Sequence, residues 1–529
     1  MPQAAVPNPL LYKLPKDFGF DEKRFPAYRA NQLDKAVEIA ESGKPLFLLE
    51  APTGSGKSLL GITSHKILKE PRTAYIVSTK QLQDQIVGDF DLPILKGRNN
   101  YPCLHFPQLF PEVTSEICHD YLAGEECDRA GRCPYVVQKR IALSAPICIL
   151  NYPLFLTEAN FVGGFSDLGF LILDEVDTAE DHLMSFIEVP ITKRLIGRFN
   201  LSYPRFKTKL ESWVDWVEKS NDIIEKALNK MGPPDPSNLR QIRELTSLRR
   251  VKRRLEFLEK NLYESWVFEQ GGEDSEAPVV FKPVKVSGFA QSFIWKHTKR
   301  TLGMSATVMG PQAMAIDLGL HSWDVDSTSL PSPFPVENRQ VKYVPVASVT
   351  NKTKAQAYPE IVKAIEGILD KYPKDKVLTH TVSYDLRNYI IDNLKPLHHQ
   401  VISHDTRDRN FKLDLFKTCD YPAIMVSPSM DRGVDLPGGI CKVIIVAKVP
   451  YPNLGSPQVN KRLHAFSDGP LWYARRTART LVQMTGRATR RMGDWSVSYI
   501  LDSQFAEFVG RNGHIFPNWW RESVSSGSI

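Results

Sequence analysis

Leu46-Phe47-Leu48-Leu49-Glu50-Ala51-Pro52-Thr53-Gly54-Ser55-Gly56-Lys57-Ser58-Leu59-Leu60 is the stretch on which the reading of this chain turns. Its apolar run predicts a buried strand, the small residues after it a loop, and Lys57 onward a helix, which is the context of a phosphate-binding loop. Gly54 and Gly56 let the backbone turn and bring N–H groups toward phosphate oxygens at a helix N-terminus, with Thr53 and Ser55 completing the loop. Lys57 is placed to reach β- and γ-phosphates, and the Ser58 hydroxyl to help hold Mg²⁺. Ala51 stands at the first position of the pattern in place of glycine, a small-for-small change. The bland alternative is a glycine-rich loop with an incidental lysine. The flanking strand and helix favour a bound nucleoside triphosphate, and the rest of the chain must say what its hydrolysis drives.

At 529 residues the chain is long enough for several domains, and 42% hydrophobic with 24% charged residues is a soluble globular composition. A net charge of +7 tolerates a polyanionic partner without demonstrating one. Met1 to Pro15 has no apolar core of a signal peptide, and runs such as Leu168–Leu173 are too short to span a bilayer. A cytoplasmic protein with no membrane partner is the expectation.

Residues 1–24 show no periodicity and read as a tail or cover strand. Tyr28-Arg29-Ala30-Asn31-Gln32 opens a helix just upstream of the loop, where Arg29 and Gln32 either approach the nucleotide or simply face solvent. Arg72–Thr79 reads as a strand whose Ser78-Thr79 end is suited to donate to a backbone phosphate. Cys148–Phe155 reads as a buried strand, and Gly169–Leu173 as another that ends in Asp174-Glu175-Val176-Asp177. Two carboxylates after a buried strand, about 115 residues beyond a phosphate loop, suit triphosphate hydrolysis: Asp174 for Mg²⁺, Glu175 to orient or deprotonate the attacking water.

Residues 190–285 carry helical periodicity with dense Arg, Lys and Glu, including Arg249, Arg250, Lys252, Arg253 and Arg254. That basic run is either a solvated face or one turned to nucleic acid. Ser305-Ala306-Thr307 follows a strand and offers two hydroxyls to relay the state of the γ-phosphate. From about residue 316 a second set of strand–helix units begins, with strands over Val377–Thr381, Ala423–Ser427, Val443–Ala447 and Val497–Leu501. Gln483-Met484-Thr485-Gly486-Arg487-Ala488-Thr489-Arg490 places two arginines on one helical face, where they can meet charge developing on a γ-phosphate. The closing Ser/Gly stretch reads as disordered.

Four of the seven cysteines, Cys103, Cys118, Cys127 and Cys133, lie within about thirty residues; Cys148, Cys419 and Cys441 are isolated and read as core thiols. Gaps of 14, 8 and 5 residues match neither the close pairs of structural zinc sites nor ferredoxin spacings. Spacing alone leaves an iron–sulfur cluster and a zinc-stabilised knob equally open. Aromatic and basic residues interleaved there (Tyr101, Phe106, Arg129, Arg132, Lys139) suit single-stranded nucleic acid.

In this order the motifs resemble the XPD/DinG family of superfamily-two DNA helicases, over roughly residues 25–505. Ala51–Ser58, Asp174–Asp177, Gly433–Asp435 and Gln483–Arg490 carry the resemblance, and the cysteines lie where that family has its iron–sulfur domain. The resemblance implies a [4Fe-4S] cluster on Cys103, Cys118, Cys127 and Cys133. It also implies ATP and Mg²⁺ between two RecA-like domains, with Gly433 and Asp435 contributing to the nucleotide site.

The implied fold class is α/β, two RecA-like parallel-sheet domains with an iron–sulfur insertion and a helical arch insertion in the first. The implied boundaries are 1–24 for a tail, 25–98, 137–189 and 286–315 for domain 1, 99–136 for the iron–sulfur domain, 190–285 for the arch and 316–529 for domain 2. The implied activity is an ATP-dependent monomeric helicase translocating 5′→3′ on single-stranded DNA and opening forked DNA, with Lys57, Asp174, Glu175, Gln483, Arg487 and Arg490 as its catalytic set. Alternatives are a translocase that displaces proteins or R-loops, and an ATP-gated single-strand-binding module. One departure bears on coupling: Asp177 replaces the histidine frequent at the end of the acidic box.

Overall fold

Every strand of the first sheet runs parallel, in the order β3-β2-β4-β8-β1-β9, and the stretch from Leu46 to Glu50 is β1, next to its edge. The others are β2 (Thr73–Val77), β3 (Ile147–Asn151), β4 (Leu168–Asp174), β8 (Thr298–Ser305) and β9 (Val325–Ser329). The computed structural model describes residues 8–104, 106–116, 130–192, 197–201, 203–206, 209–232, 238–263, 265–269, 278–430, 436, 439–486 and 493–528. The strands are continuous apolar runs because both faces are covered. Leu46, Leu48, Leu171 and Leu173 point into one core cluster, while Phe47, Leu49, Phe170 and Ile172 point into the other.

The second sheet is also parallel, in the order β12-β13-β11-β14-β15-β10-β16. It comprises β10 (Arg339–Ala347), β11 (Val377–His380), β12 (Gln400–Ser403), β13 (Ala423–Ser427), β14 (Val443–Val446), β15 (Ser496–Asp502) and β16 (Val524–Ser526). Two mostly separate sheets, each with its own core, match the expected fold class.

Several boundaries differ from the sequence reading. β9 pairs with β1 in register from Leu46–Val325 to Glu50–Ser329, so residues 316–329 belong with the first sheet and the division falls near residue 330. The polar Asp-Ser-Thr-Ser pattern of β9 hid it, as expected for an edge strand with one solvated side. Residues 8–24 are not a free tail: Pro15 is buried, and Phe20 packs edge-on to Phe90 at 6.0 Å. Tyr152–Thr157 is a helix, started by Pro153 in its first turn and by the Asn151 side chain, which accepts from the Leu154 N–H. The Ser/Gly end is not disordered throughout, since β16 pairs with β10.

The insertion is not purely helical. Helices Leu210–Met231 and Leu239–Asn261 stand on an antiparallel sheet of β5 (Val189–Ile191), β6 (Trp266–Glu269) and β7 (Val279–Pro283), in the order β5-β7-β6. Trp213, fully buried, packs against Phe281 of β7 with ring centroids 5.2 Å apart. The basic helix is partly spent on protein: Arg250 pairs with Glu116 at 2.8 Å, Arg243 donates to the Glu112 carbonyl, and Lys252 pairs with Glu225. It therefore ties the insertion to the cysteine segment.

The two sheets meet through helix Gly469–Thr485, whose buried face is unusually charged. Trp472 Nε1 donates to Glu180 at 3.0 Å, and Arg476 pairs with Asp181 at 2.7 Å. Arg462, on the preceding helix, is 1% exposed and donates to both Asp317 and Asp468.

Candidate nucleotide-binding cleft

The loop after β1 turns through Gly54 at φ +78° and Gly56 at φ +80°, and the helix Lys57–Leu68 starts immediately after. Left-handed backbone favours glycine at both positions. At Gly56 a side chain is excluded twice over, because an added Cβ would lie 2.4 Å from Gln32 Nε2. Gln32 is 3% exposed; its amide donates to the Ser55 carbonyl at 2.7 Å and its oxygen accepts from the Arg29 N–H at 2.8 Å. The Arg29 guanidinium donates to the Gly54 carbonyl. Gln32 and Arg29 therefore brace the loop from behind, a role the sequence reading did not assign. Lys57 Nζ sits 3.1 Å from the Ala51 carbonyl and 3.3 Å from that of Pro52.

The acid pair faces this loop. β4 ends at Asp174, 7% exposed, which accepts from Tyr75 OH at 3.0 Å and from the Glu175 N–H at 3.0 Å. Burial pushes the Asp174 carboxyl above its usual range, against the pull of Lys57. Burial, with Asp174 beside it, raises Glu175 as well. Glu175 sits at φ +51° and accepts from the Ser78 hydroxyl. Ser78 thus donates to the acid pair rather than to a nucleic-acid phosphate, while Thr79 accepts from the Leu82 N–H as a helix cap. Two adjacent carboxylates raised in this way, lining one cleft with Ser58, are a chemical match for a divalent cation.

Asp177 is 2% exposed and is the meeting point of three segments. Its carboxylate accepts from Ser305 Oγ at 2.7 Å, from Thr307 Oγ1 at 3.1 Å and from Gln483 Nε2 at 2.7 Å. Arg479 donates to its main-chain carbonyl at 2.7 Å. Ser305 and Thr307 lie after β8 in the first domain, whereas Gln483 and Arg479 lie on helix Gly469–Thr485 of the second. The residue that stands in place of histidine thus puts a carboxyl group at the junction. Arg479 is a residue sequence reasoning missed; its spacing of four from Gln483, on the same helical face, was the available signal.

A cavity of about 470 Å³ lies between these groups, lined by Lys57, Ser58, Asp174, Glu175 and Thr307 from one side and Gln483 from the other. Trp519 also lines it, while Trp520 donates to Thr485 Oγ1 at 2.8 Å. The expected Gly433, Asp435, Arg487 and Arg490 lie outside the described residues, as do Cys118 and Cys127.

Cys103, 1% exposed, and Cys133 open and close the cysteine segment. The Ser115 hydroxyl donates to the carbonyl of Pro102, the residue before Cys103, at 2.9 Å and lies 3.8 Å from Cys133 Sγ. Among the described residues no group of three metal-ligating side chains comes together.

Residues 365–523 match the family described as Helicase C-terminal domain. Over nearly its whole length the chain is 21% identical to a probable ATP-dependent helicase of Methanocaldococcus jannaschii, covering 93% of this chain and 94% of that protein. Its fold is similar to that of a solved XPD helicase, with TM-score 0.63 and 16% identity, covering 94% of this chain and 99% of the other. Xpd4 of S. tokodaii is similar at TM-score 0.58 and 16% identity, over 94% of this chain and 100% of the other. The matched C-terminal domain family and a fold shared with solved XPD helicases are similarities that agree with the motif order along the chain.

Proposed function

We propose that the chain couples ATP hydrolysis to 5′→3′ movement along single-stranded DNA and opens forked duplexes as it moves. The observation that carries this reading is the Asp177 junction. A carboxylate three residues from Asp174 is hydrogen-bonded to both domains, so a change at the acid pair is felt by helix Gly469–Thr485.

In the proposed cycle, Lys57 leaves the Ala51 and Pro52 carbonyls for the β/γ-phosphate oxygens, and the loop N–H groups between Thr53 and Ser58 receive the remaining phosphate charge. Mg²⁺, when bound, would neutralise phosphate charge beside Ser58 and Asp174. Glu175 orients the attacking water and accepts its proton, a task suited to a carboxylate whose affinity for protons is raised by burial. Arg487 and Arg490 are proposed to meet the γ-phosphate from the second domain. Gln483 and Arg479 then report its loss through Asp177, and opening of the cleft advances the strand.

Cys103 and Cys133 are proposed to supply two corners of a four-iron cluster, with Cys118 and Cys127 the others; Ser115 bonds the residue before Cys103 and lies beside Cys133. The cluster would make a rigid knob beside the arch, tied to it by Arg250 and Glu116. Anaerobically purified protein should be brown, with absorption near about 400 nm from thiolate-bound iron. A colourless protein with one zinc would overturn the assignment. For the motor, Lys57→Ala should abolish DNA-stimulated phosphate release; full activity in that variant would overturn the nucleotide site. Protein displacement without fork opening would leave the motor standing but remove strand separation.

A further inference from the structure

Glu50 closes β1, one residue before the phosphate loop begins, and none of the chemistry above uses it. Its carboxylate is largely buried and accepts the main-chain N–H of Met309 at 3.2 Å. Among the described residues it has no ion-pair partner; burial pushes its carboxyl upward and only the main chain at 308–309 pulls it back. A buried, unpaired carboxylate is an expensive way to satisfy one N–H, since a glutamine would do the same without the desolvation cost.

The peptide it holds is itself strained. Met309 sits at φ +56° and Gly310 follows at φ +95°. Left-handed backbone is disfavoured for a residue bearing a side chain, so its surroundings must hold it there. The second hold comes from the other domain: Arg475 Nε donates to the Met309 carbonyl at 2.7 Å. Arg475 is 3% exposed and is anchored by Asp317, which Arg462 also engages at 3.1 Å. The Nη2 of Arg475 is buried without a hydrogen-bond partner among the described residues, leaving it one unmade contact in this arrangement.

We propose that Glu50 is a positioning residue that couples the phosphate loop to the second domain through the Met309 peptide and Arg475, by a route that does not pass through Asp177. The N–H of Met309 answers to the nucleotide side and its carbonyl to the second domain. Lys57 rests on the carbonyls of Ala51 and Pro52, directly after Glu50. When Lys57 transfers to phosphate, the end of β1 loses a cation and shifts. The strained turn follows its N–H, and the carbonyl turns relative to Arg475, whose open Nη2 gives it a second bonding arrangement to fall into. Glu50 is joined through the chain to the carbonyls that release Lys57 and so moves with them, and Glu50→Gln asks whether its charge is needed to hold the Met309 N–H.

The inference rests on the nucleotide-driven reading above, and the experiment separates the two. Unaltered protein, Glu50→Gln and Arg475→Lys are compared for binding of a non-hydrolysable ATP analogue, for analogue-induced approach of the two domains by fluorescence transfer between labels, and for phosphate release with and without single-stranded DNA. Thermal melting checks that each variant is folded. The expected result for both variants is analogue affinity within about twofold of the unaltered protein, but domain approach and DNA stimulation reduced about tenfold, the size of an ordinary coupling energy. The double variant should be no worse than the poorer single one. Unchanged domain approach in folded Glu50→Gln overturns the inference, as does a loss that merely follows lost analogue binding. If unaltered protein closes on the analogue but shows no DNA stimulation, the DNA reading fails while domain approach still decides the role of Glu50. If unaltered protein does not bind the analogue, both fall.

Discussion

Gln483 donates its side-chain amide to the Asp177 carboxylate across the domain boundary at 2.7 Å, and Asp177 is almost fully enclosed. The carboxylate is also the acceptor for Ser305 and Thr307, so a single side chain satisfies three donors from two other segments of the chain. The contact joins the segment that follows the acid pair to the helix that opens the Gln-x-x-Gly-Arg sequence.

Replacing Asp177 by alanine strands those donors and cuts that link. DNA-stimulated ATP turnover should fall by about tenfold or more, with nucleotide affinity changed far less. Gln483→Ala should lose a similar factor, and the double variant should be non-additive. Steady-state phosphate release across the cycle checks this; additive losses would mean that the pair does not act as one unit.

Gly56→Ala tests the loop itself. The added methyl would meet Gln32 Nε2 at 2.4 Å and the backbone would remain at φ +80°. Strain and a broken Gln32–Ser55 bond together should cost about 1–3 kcal/mol of nucleotide binding, which is about 5- to 150-fold in affinity. Pairing it with Gln32→Ala removes the clash but not the left-handed backbone, so recovery should be partial. Titration with a fluorescent nucleotide reads both.

His65 provides a pH test. It is 7% exposed, its Nδ1 lies 2.8 Å from Thr73 Oγ1, and burial, with Lys66 nearby, lowers its pKa to about 4. The folded protein therefore holds it neutral where the unfolded chain would protonate it. This contribution to stability is fully present above the unfolded value of 6.5 and is lost as pH falls from there toward about 4. Over that window it should amount to at most about 1.4 kcal/mol per pH unit. Denaturation followed from pH 7 to pH 4 should be less steep for His65→Gln than for the unaltered protein; equal slopes would place the loss elsewhere.

Arg462→Ala should uncouple the domains. The guanidinium is 1% exposed and divides its bonds between Asp317, which ends the helix before β9, and Asp468, which starts the long helix of the second domain. Asp317 keeps Arg475 and Asp468 keeps Lys285, so the loss should cost about 1.5–3 kcal/mol, the scale of a hydrogen bond between charged groups. Calorimetry should then resolve two transitions where the unaltered protein shows more nearly one.

The parts of the fold driven by apolar runs were legible in the sequence. β1, β2, β4, β13 and β14 are short, mainly hydrophobic stretches, and the loop and acid pair sit at the ends of β1 and β4 because parallel strands deliver their C-terminal ends to one side. What could not be read depended on partners distant in sequence. β9 is polar and becomes a strand only because β1 offers its edge. Gln32 looked like an ordinary surface polar residue, and its burial follows from the loop folding over it. The role of Asp177 required Ser305, Thr307 and Gln483 to converge from about 130 and 300 residues away, which no local pattern encodes.

The pairing of Val524–Ser526 with β10 also bears on how the molecule avoids its own copies. A parallel sheet ending at β10 would present an unpaired row of amide and carbonyl groups along Val341–Tyr343, a ready template for a strand from another molecule. The last few residues occupy that template in cis, with Gly527 continuing onto the Tyr343 carbonyl at 3.0 Å. Their short polar side chains contribute little apolar burial, so their value is protective: removing them should leave the cleft chemistry standing while making the chain self-associate, which light scattering of a variant ending at Ser523 would register.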